Sequence, residues 1–133
     1  MKTITKIMLI LTSISYISGC FGPGIADYDG QFIDGYGLSR SSANNISLYG
    51  INDINVPAKI IELGWDESYI VIKREFLDDA GNPLDTFCWY IINLNNQSLS
   101  ESINDENIDA TLKDIGINEI KMYAPNELRN SLY

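Results

Sequence analysis

Apolar and polar positions alternate most clearly in the middle of the chain. Lys59-Ile60-Ile61-Glu62-Leu63-Gly64-Trp65 and Tyr69-Ile70-Val71-Ile72-Lys73-Arg74 are β-rich runs separated by Asp66-Glu67-Ser68. Two such runs joined by three polar residues predict an antiparallel hairpin. Pro57 stands just ahead of the first run, where a missing N–H does least harm. Strict alternation places Ile61, Leu63 and Trp65 on one face and Ile60 and Glu62 on the other. Beyond the turn-rich stretch 78–83, Phe87-Cys88-Trp89-Tyr90-Ile91-Ile92 is apolar on both faces. That pattern predicts a central strand covered on two sides. Asn93 to Gln97 supplies the next turn, and Ser98 to Ser100 is a candidate for a short last strand. Upstream, Leu38–Arg40 and Ile46–Ile51 are strand candidates around the turn at 41–45. Asp27 to Gly37, rich in Gly, Asp and aromatic residues, reads as a loop or irregular edge that packs its rings.

One helix is predicted, from about Asp105 to Ile115, because Ile108, Leu112 and Ile115 recur at i, i+4 and i+7 as a single apolar stripe. Asn104 fits the N-cap, Asp105 and Glu106 the positive end of the dipole, and Gly116 the C′ position. The tail, Ile117 to Tyr133, holds a short strand and a final helical turn without sharp boundaries. The fold class expected is α+β: an antiparallel β-meander of four or five strands with a C-terminal helix packed on one face, forming a single domain over 27–133. The Gly64-Trp65-Asp66 hairpin does not repeat, which excludes a propeller built of such blades.

The chain opens differently. Lys2 and Lys6 precede the apolar run Ile7–Leu11, which continues through Ile14, Tyr16 and Ile17 among small polar residues. This is the basic start and apolar centre of an export signal, well short of the ~20 residues needed to cross a bilayer. The segment ends in Ile17-Ser18-Gly19-Cys20, which resembles the lipobox of bacterial lipoproteins. Ile17 stands where leucine is most frequent in that family.

The resemblance implies cleavage after Gly19 and a diacylglyceryl group on the Cys20 sulfur, followed in many bacteria, though not all, by an acyl group on the new amino terminus. Residues 1–19 are then the signal peptide, and 20–26 the lipidated cysteine and a short tether. Phe21 follows the cysteine in place of the aspartate that marks inner-membrane retention in this family, so the outer membrane is expected if the cell has two. Further on, Val56-Pro57-Ala58-Lys59-Ile60, Gly64-Trp65, Trp89-Tyr90 and Gly116-Ile117 make the mature chain similar to small bacterial lipoproteins that carry a domain of unknown function. That likeness supplies no activity.

Charge and chemistry narrow the function. Lys+Arg number 9 against 18 Asp+Glu, and His is absent. Without Lys2 and Lys6, seven basic side chains face the 18 acidic ones, net −11, a balance that repels nucleic acid. Ser/His and Cys/His nucleophile pairs cannot form, and zinc sites lack their ligands. Cys88 is the sole thiol besides Cys20 and reads as a small core residue. The acids at 27, 29, 34, 66, 67, 78 and 79 fall in turns, where solvated structural roles outweigh a glycosidase-like pair. Asp27-Tyr28-Asp29-Gly30 imitates part of a calcium loop. Aligning Gly30 with the sixth position leaves Ile25 and Tyr36 where acids are required, so an EF-hand is excluded. Gly35-Tyr36-Gly37 lacks the remaining glycine of a nucleotide fingerprint.

No catalytic residue, metal or cofactor is expected. Tyr28, Phe32 and Tyr36 form the candidate binding surface, since aromatic faces bury apolar area while a hydroxyl stays wet. Trp89 and Tyr90 are expected in the core. The function expected is a lipid-anchored envelope protein, held to the membrane through Cys20, that binds or supports an envelope protein partner. An inhibitor or immunity factor clamping a basic protein is the alternative, and a carboxylate-based hydrolase the third class.

Overall fold

The computed structural model describes residues 27–133. Cys20, the cleavage position after Gly19 and the tether 20–26 lie outside the described residues.

The first half is a four-stranded antiparallel meander: β1 (Tyr28–Ile33), β2 (Tyr36–Ser42), β3 (Asn45–Gly50) and β4 (Asn55–Val56), in that spatial order. The stretch expected to be a loop is therefore a hairpin. Its turn is Asp34-Gly35, with Gly35 at φ +86°, a conformation that glycine adopts without a Cβ clash. The glycines that suggested irregularity serve close approach instead. A Cβ on Gly37 would overlap the Tyr49 phenol, and one on Gly50 would lie 2.6 Å from the Tyr36 ring.

The second half forms another antiparallel sheet: β5 (Ile60–Trp65), β6 (Tyr69–Leu77), β7 (Pro83–Asn93), β8 (Ser98–Leu99) and β9 (Ile103–Asn104). The β5–β6 hairpin turns where expected. Asp66 Oδ1 accepts the N–H groups of Ser68 and Tyr69, each at 2.8 Å, and Trp65 pairs with Ile70. The predicted alternation in β5 is broken by a bulge, because Ile60 and Glu62 oppose the consecutive residues Arg74 and Lys73. The extra residue resets the faces, so Ile60 and Leu63 both enter the core at 0% exposure. Strand β7 is central as expected, between β6 on one side and β8 and β9 on the other, with Ile91 and Ile92 both buried.

The single four- or five-stranded meander is thus corrected, among the described residues, to nine strands in two sheets, a mainly β architecture with a short C-terminal helix. The sequence did not show where one sheet stops and the next begins, because the break falls at Pro57-Ala58 between strands that look alike. Arg74 fixes that crossover: its Nε donates to the carbonyls of Pro57 (3.1 Å) and Ala58 (2.8 Å). Helix α1 (Ile108–Asp114) is shorter than the predicted 105–115. Its N-cap position is Asn107, and Asn104 lies in β9 instead. Gly116 takes the C′ position as expected, at φ +85° with its N–H on the Lys113 carbonyl. Helix α2 (Pro125–Leu128) runs into a 3-10 turn at Arg129–Ser131.

One hydrophobic cluster joins the two sheets. Leu38, Ile46, Leu48 and Val56 from the first meet Ile60, Leu63, Ile70, Ile72 and Ile92 from the second, closed by Leu128. The tail after Gly116 then stitches both outer strands. Tyr123 exchanges two backbone hydrogen bonds with Leu63 on β5 (2.9 and 2.7 Å), and Tyr133 exchanges two with Gln31 on β1 (2.7 and 3.1 Å). Each contact sits beside a glycine. A Cβ on Gly64 would overlap the Lys121 carbonyl oxygen, and one on Gly30 would lie 2.8 Å from Leu132 Cβ.

Gly64→Ala is expected to lower stability by about 1–3 kcal/mol, because the backbone it would strike has little room to give. A shift of the urea midpoint measures this, and an unchanged midpoint would show that the tail is not held against β5.

Candidate interaction surface

The three rings expected at the surface are built from β1 and β2. Phe32 is 8% and Tyr36 2% exposed, and both belong to the core cluster; Tyr28 is half-buried against it. Alternation carries them inward: Phe32 sits two positions beyond buried Gly30 on β1, and Tyr36 shares a face with Leu38 on β2. Phe32 also meets Trp65 of the opposite sheet at 5.0 Å between ring centroids, and Trp65 meets Tyr123 at 5.5 Å. The Tyr28 and Tyr36 hydroxyls are buried with no hydrogen-bond partner in the structure. Burial pushes both phenols above their ordinary range, with Arg40 and then Arg129 drawing Tyr28 partly back. Tyr49 is also raised, first by burial and then by its 2.9 Å hydrogen bond to Asp29.

A wetter aromatic face lies on the other side of the second sheet. The β6–β7 register sets Lys73 opposite Trp89, Val71 opposite Ile91 and Tyr69 opposite Asn93. Lys73 Nζ lies 4.6 Å from the centroid of the Phe87 ring and 5.4 Å from that of Trp89, distances at which the ring quadrupole attracts a cation. Trp89 Nε1 donates to Asp105 Oδ1 at 2.7 Å. All three of Lys73, Phe87 and Trp89 are half-buried. Trp89 is therefore not the core residue expected, whereas Tyr90, one position on and facing the opposite way, packs against the core cluster. Below this shelf a groove of about 240 Å³ is lined by Ile91, Leu99, Ile103, Thr111 and Ile115, so the second sheet and α1 share its walls. Leu84, 50% exposed, extends the apolar surface along β7.

The period-two pattern could have located Lys73 beside Trp89 once the hairpin register was known. Asp105 could not have been found, since its contact depends on how the chain returns after β9. The loop acids have mostly structural partners. Asp78 Oδ1 accepts from Asn82 N (2.8 Å) and Ala80 N (2.9 Å), which holds its carboxyl below the ordinary range. Asp27 pairs with Arg40 at 3.6 Å. Cys88 is 1% exposed, and among the described residues no three His, Cys, Asp or Glu side chains gather as metal ligands would.

A family model described as "Protein of unknown function (DUF3997)" matches residues 33–126. The chain belongs to the DUF3997 family. The matched span runs from the end of β1 into α2, so it contains the second sheet whole, the shelf and the stitch at Tyr123. No curated protein and no solved structure matches the chain. The residues on which the likeness to small lipoproteins rested all fall inside the DUF3997 span, and the structure gives several of them a task. Pro57 offers its carbonyl to Arg74, Gly64 clears the Lys121 backbone, Trp89 holds Asp105, and Gly116 ends α1.

Tyr36→Phe removes a buried hydroxyl that has no partner, so it is expected to leave stability unchanged or raise it by up to about 1 kcal/mol. A lower melting temperature would show that the hydroxyl is bonded in solution. Because burial raises the phenols of Tyr28, Tyr36 and Tyr49, their contribution to stability is complete below about pH 10 and is lost as pH climbs through their folded-state values. An ultraviolet phenolate titration should therefore show a late-ionising set that releases together with alkaline unfolding.

Proposed function

We propose that the chain is a lipid-anchored envelope protein whose domain binds or supports another envelope component without catalysis. The observation that carries this reading is Ile17-Ser18-Gly19-Cys20 behind a basic start and a short apolar run. Two or three acyl chains at Cys20, at roughly 0.8 kcal/mol per buried methylene, anchor almost permanently. Residues 21–27 alone separate that cysteine from β1. Even fully extended, a link of this length spans less than about 30 Å, so the folded domain works close to the bilayer. Phe21 favours the outer membrane where the cell has two.

A non-catalytic role is supported by the chain's lack of histidine and by a thiol buried in the central strand. The half-buried shelf of Lys73, Phe87 and Trp89 is the surface best suited to a protein partner, since its two aromatic rings match the enrichment of interface centres in such residues. The second reading, an inhibitor of a basic protein, draws on the net charge of −11 after the signal.

Cys20→Ser is expected to accumulate as uncleaved precursor and to lose fatty-acid label, while the parent yields an amino-terminal peptide that begins at diacylglyceryl-modified Cys20. Processing and labelling of the variant like the parent would defeat the anchor. Affinity capture from detergent-solubilised envelope at two salt concentrations separates the two roles: one basic, salt-sensitive partner favours the inhibitor, and a partner retained at high salt favours support.

A further inference from the structure

The outer face of the second sheet already holds a cation of its own. Lys73 Nζ lies 4.6 Å from the Phe87 centroid and 5.4 Å from that of Trp89. Among the described residues no carboxylate stands within ion-pair distance of it. Two ring faces, without a counter-ion, are what keep the ammonium there, and they mark the place where this surface takes positive charge.

Carboxylates border that place. Glu62 is the register partner of Lys73 on β5 and is exposed, and Glu75 is the register partner of Phe87 on β6. Asp85 comes in beside Glu75, whose Oε2 accepts its backbone N–H at 3.0 Å, and Asp105 receives the Trp89 indole N–H. A second lysine stands at the margin: Lys59 exchanges backbone hydrogen bonds with Glu75, and it lines a separate groove with Arg40, Ile46 and Pro125. Four acids against two lysines leave the shelf negative. The rings also lead into an apolar groove. Positions 87, 89 and 91 share one face of β7, and Ile91 lines the groove together with Ile103, the register partner of Trp89 on β9. Trp89 and Ile91 are thus separated by the two-residue repeat of an extended chain, about 6–7 Å.

We propose that this shelf receives an arginine of a basic protein partner, with an apolar residue two positions along the same extended segment entering the groove. The inference rests on the shelf as the partner surface and is independent of the lipid anchor. The guanidinium takes the place that Lys73 fills in the free protein. Its plane stacks on Phe87 and Trp89 while its fork of five N–H donors extends sideways to the bordering carboxylates, a combination that an ammonium on a flexible stem does not offer. Tryptophan paired with arginine is also a recurrent centre of interface energy. Lys73 then acts as a resident competitor. It covers the rings until a better cation arrives, so an apolar segment without arginine gains little by displacing it.

The test follows the indole N–H signals of the processed, ¹⁵N-labelled protein in non-ionic detergent, with Trp65 as internal reference for Trp89. The probe is the capped peptide Gly-Arg-Thr-Leu-Gly, with versions that carry glutamine or glutamate for its arginine or serine for its leucine. The parent peptide is expected to move the Trp89 signal with a dissociation constant on the order of 1 mM, and the glutamine and serine versions to bind more weakly. Lys73→Met, which keeps the stem and removes the competing charge, is expected to tighten binding roughly two- to fivefold. Asp105→Asn retains an acceptor for the indole but loses the charge, so it is expected to weaken binding, whereas Asp34→Asn on the first sheet changes nothing. Unaltered or weaker binding in Lys73→Met overturns the proposal. Equal binding of the glutamate version also overturns it, and leaves the shelf as a surface for a partner of other chemistry. A Trp89 signal unmoved by every version at about 10 mM overturns the proposal and the shelf together. The mass of the amino-terminal peptide from the same preparation judges the anchor separately.

Discussion

The outer strand of each sheet must find a partner for its free backbone groups, and in this protein one segment answers for both. Strand β1 ends the order of the first sheet and β5 that of the second. The tail reaches β5 at Tyr123, drops Leu128 into the core and meets β1 at Tyr133. An open strand edge invites pairing with other chains, so covering it matters as much for solubility as for stability. The remaining edges are managed by brevity, since β4, β8 and β9 have two residues each. The free half of β7 begins at Pro83 and carries Asp85 at φ +55°, both of which spoil a template for strand addition.

This arrangement divides the surface by task. The core cluster takes the inner faces of both sheets and absorbs the aromatics of the first hairpin. The outer face of the second sheet keeps Lys73, Phe87 and Trp89 half in water, next to the shared groove with α1. The groove lined by Arg40 and Lys59 has its own walls, and no residue is common to the two.

The hairpin β5–β6, the central β7 and the glycine after α1 were legible because each depends on local pattern: alternation, a two-faced apolar run and a left-handed C′ position. What escaped notice depends on contacts between distant parts. Tyr28, Phe32 and Tyr36 looked like a surface because their glycine neighbours read as loop, yet those glycines make room for Tyr49 and Leu132. Ile60 changed faces because a bulge inserts one residue, which alternation alone does not reveal. The Trp89–Asp105 hydrogen bond joins β7 to the turn after β9, and the tail pairings join strands to a segment with no periodic signal. For the same reason the sheet-to-sheet break at Pro57-Ala58 was invisible, though Arg74, which secures it, was already placed on the right strand.

The pairing of Gln31 with Tyr133 also sets a schedule. Native contacts between residues so far apart in sequence form late, because the whole intervening chain must be ordered first. While a ribosome is still adding the tail, β1 and β5 have no outer partners and the two sheets lack their clasp. The clasp that protects the finished fold thus comes into being only once its last residues have joined the rest.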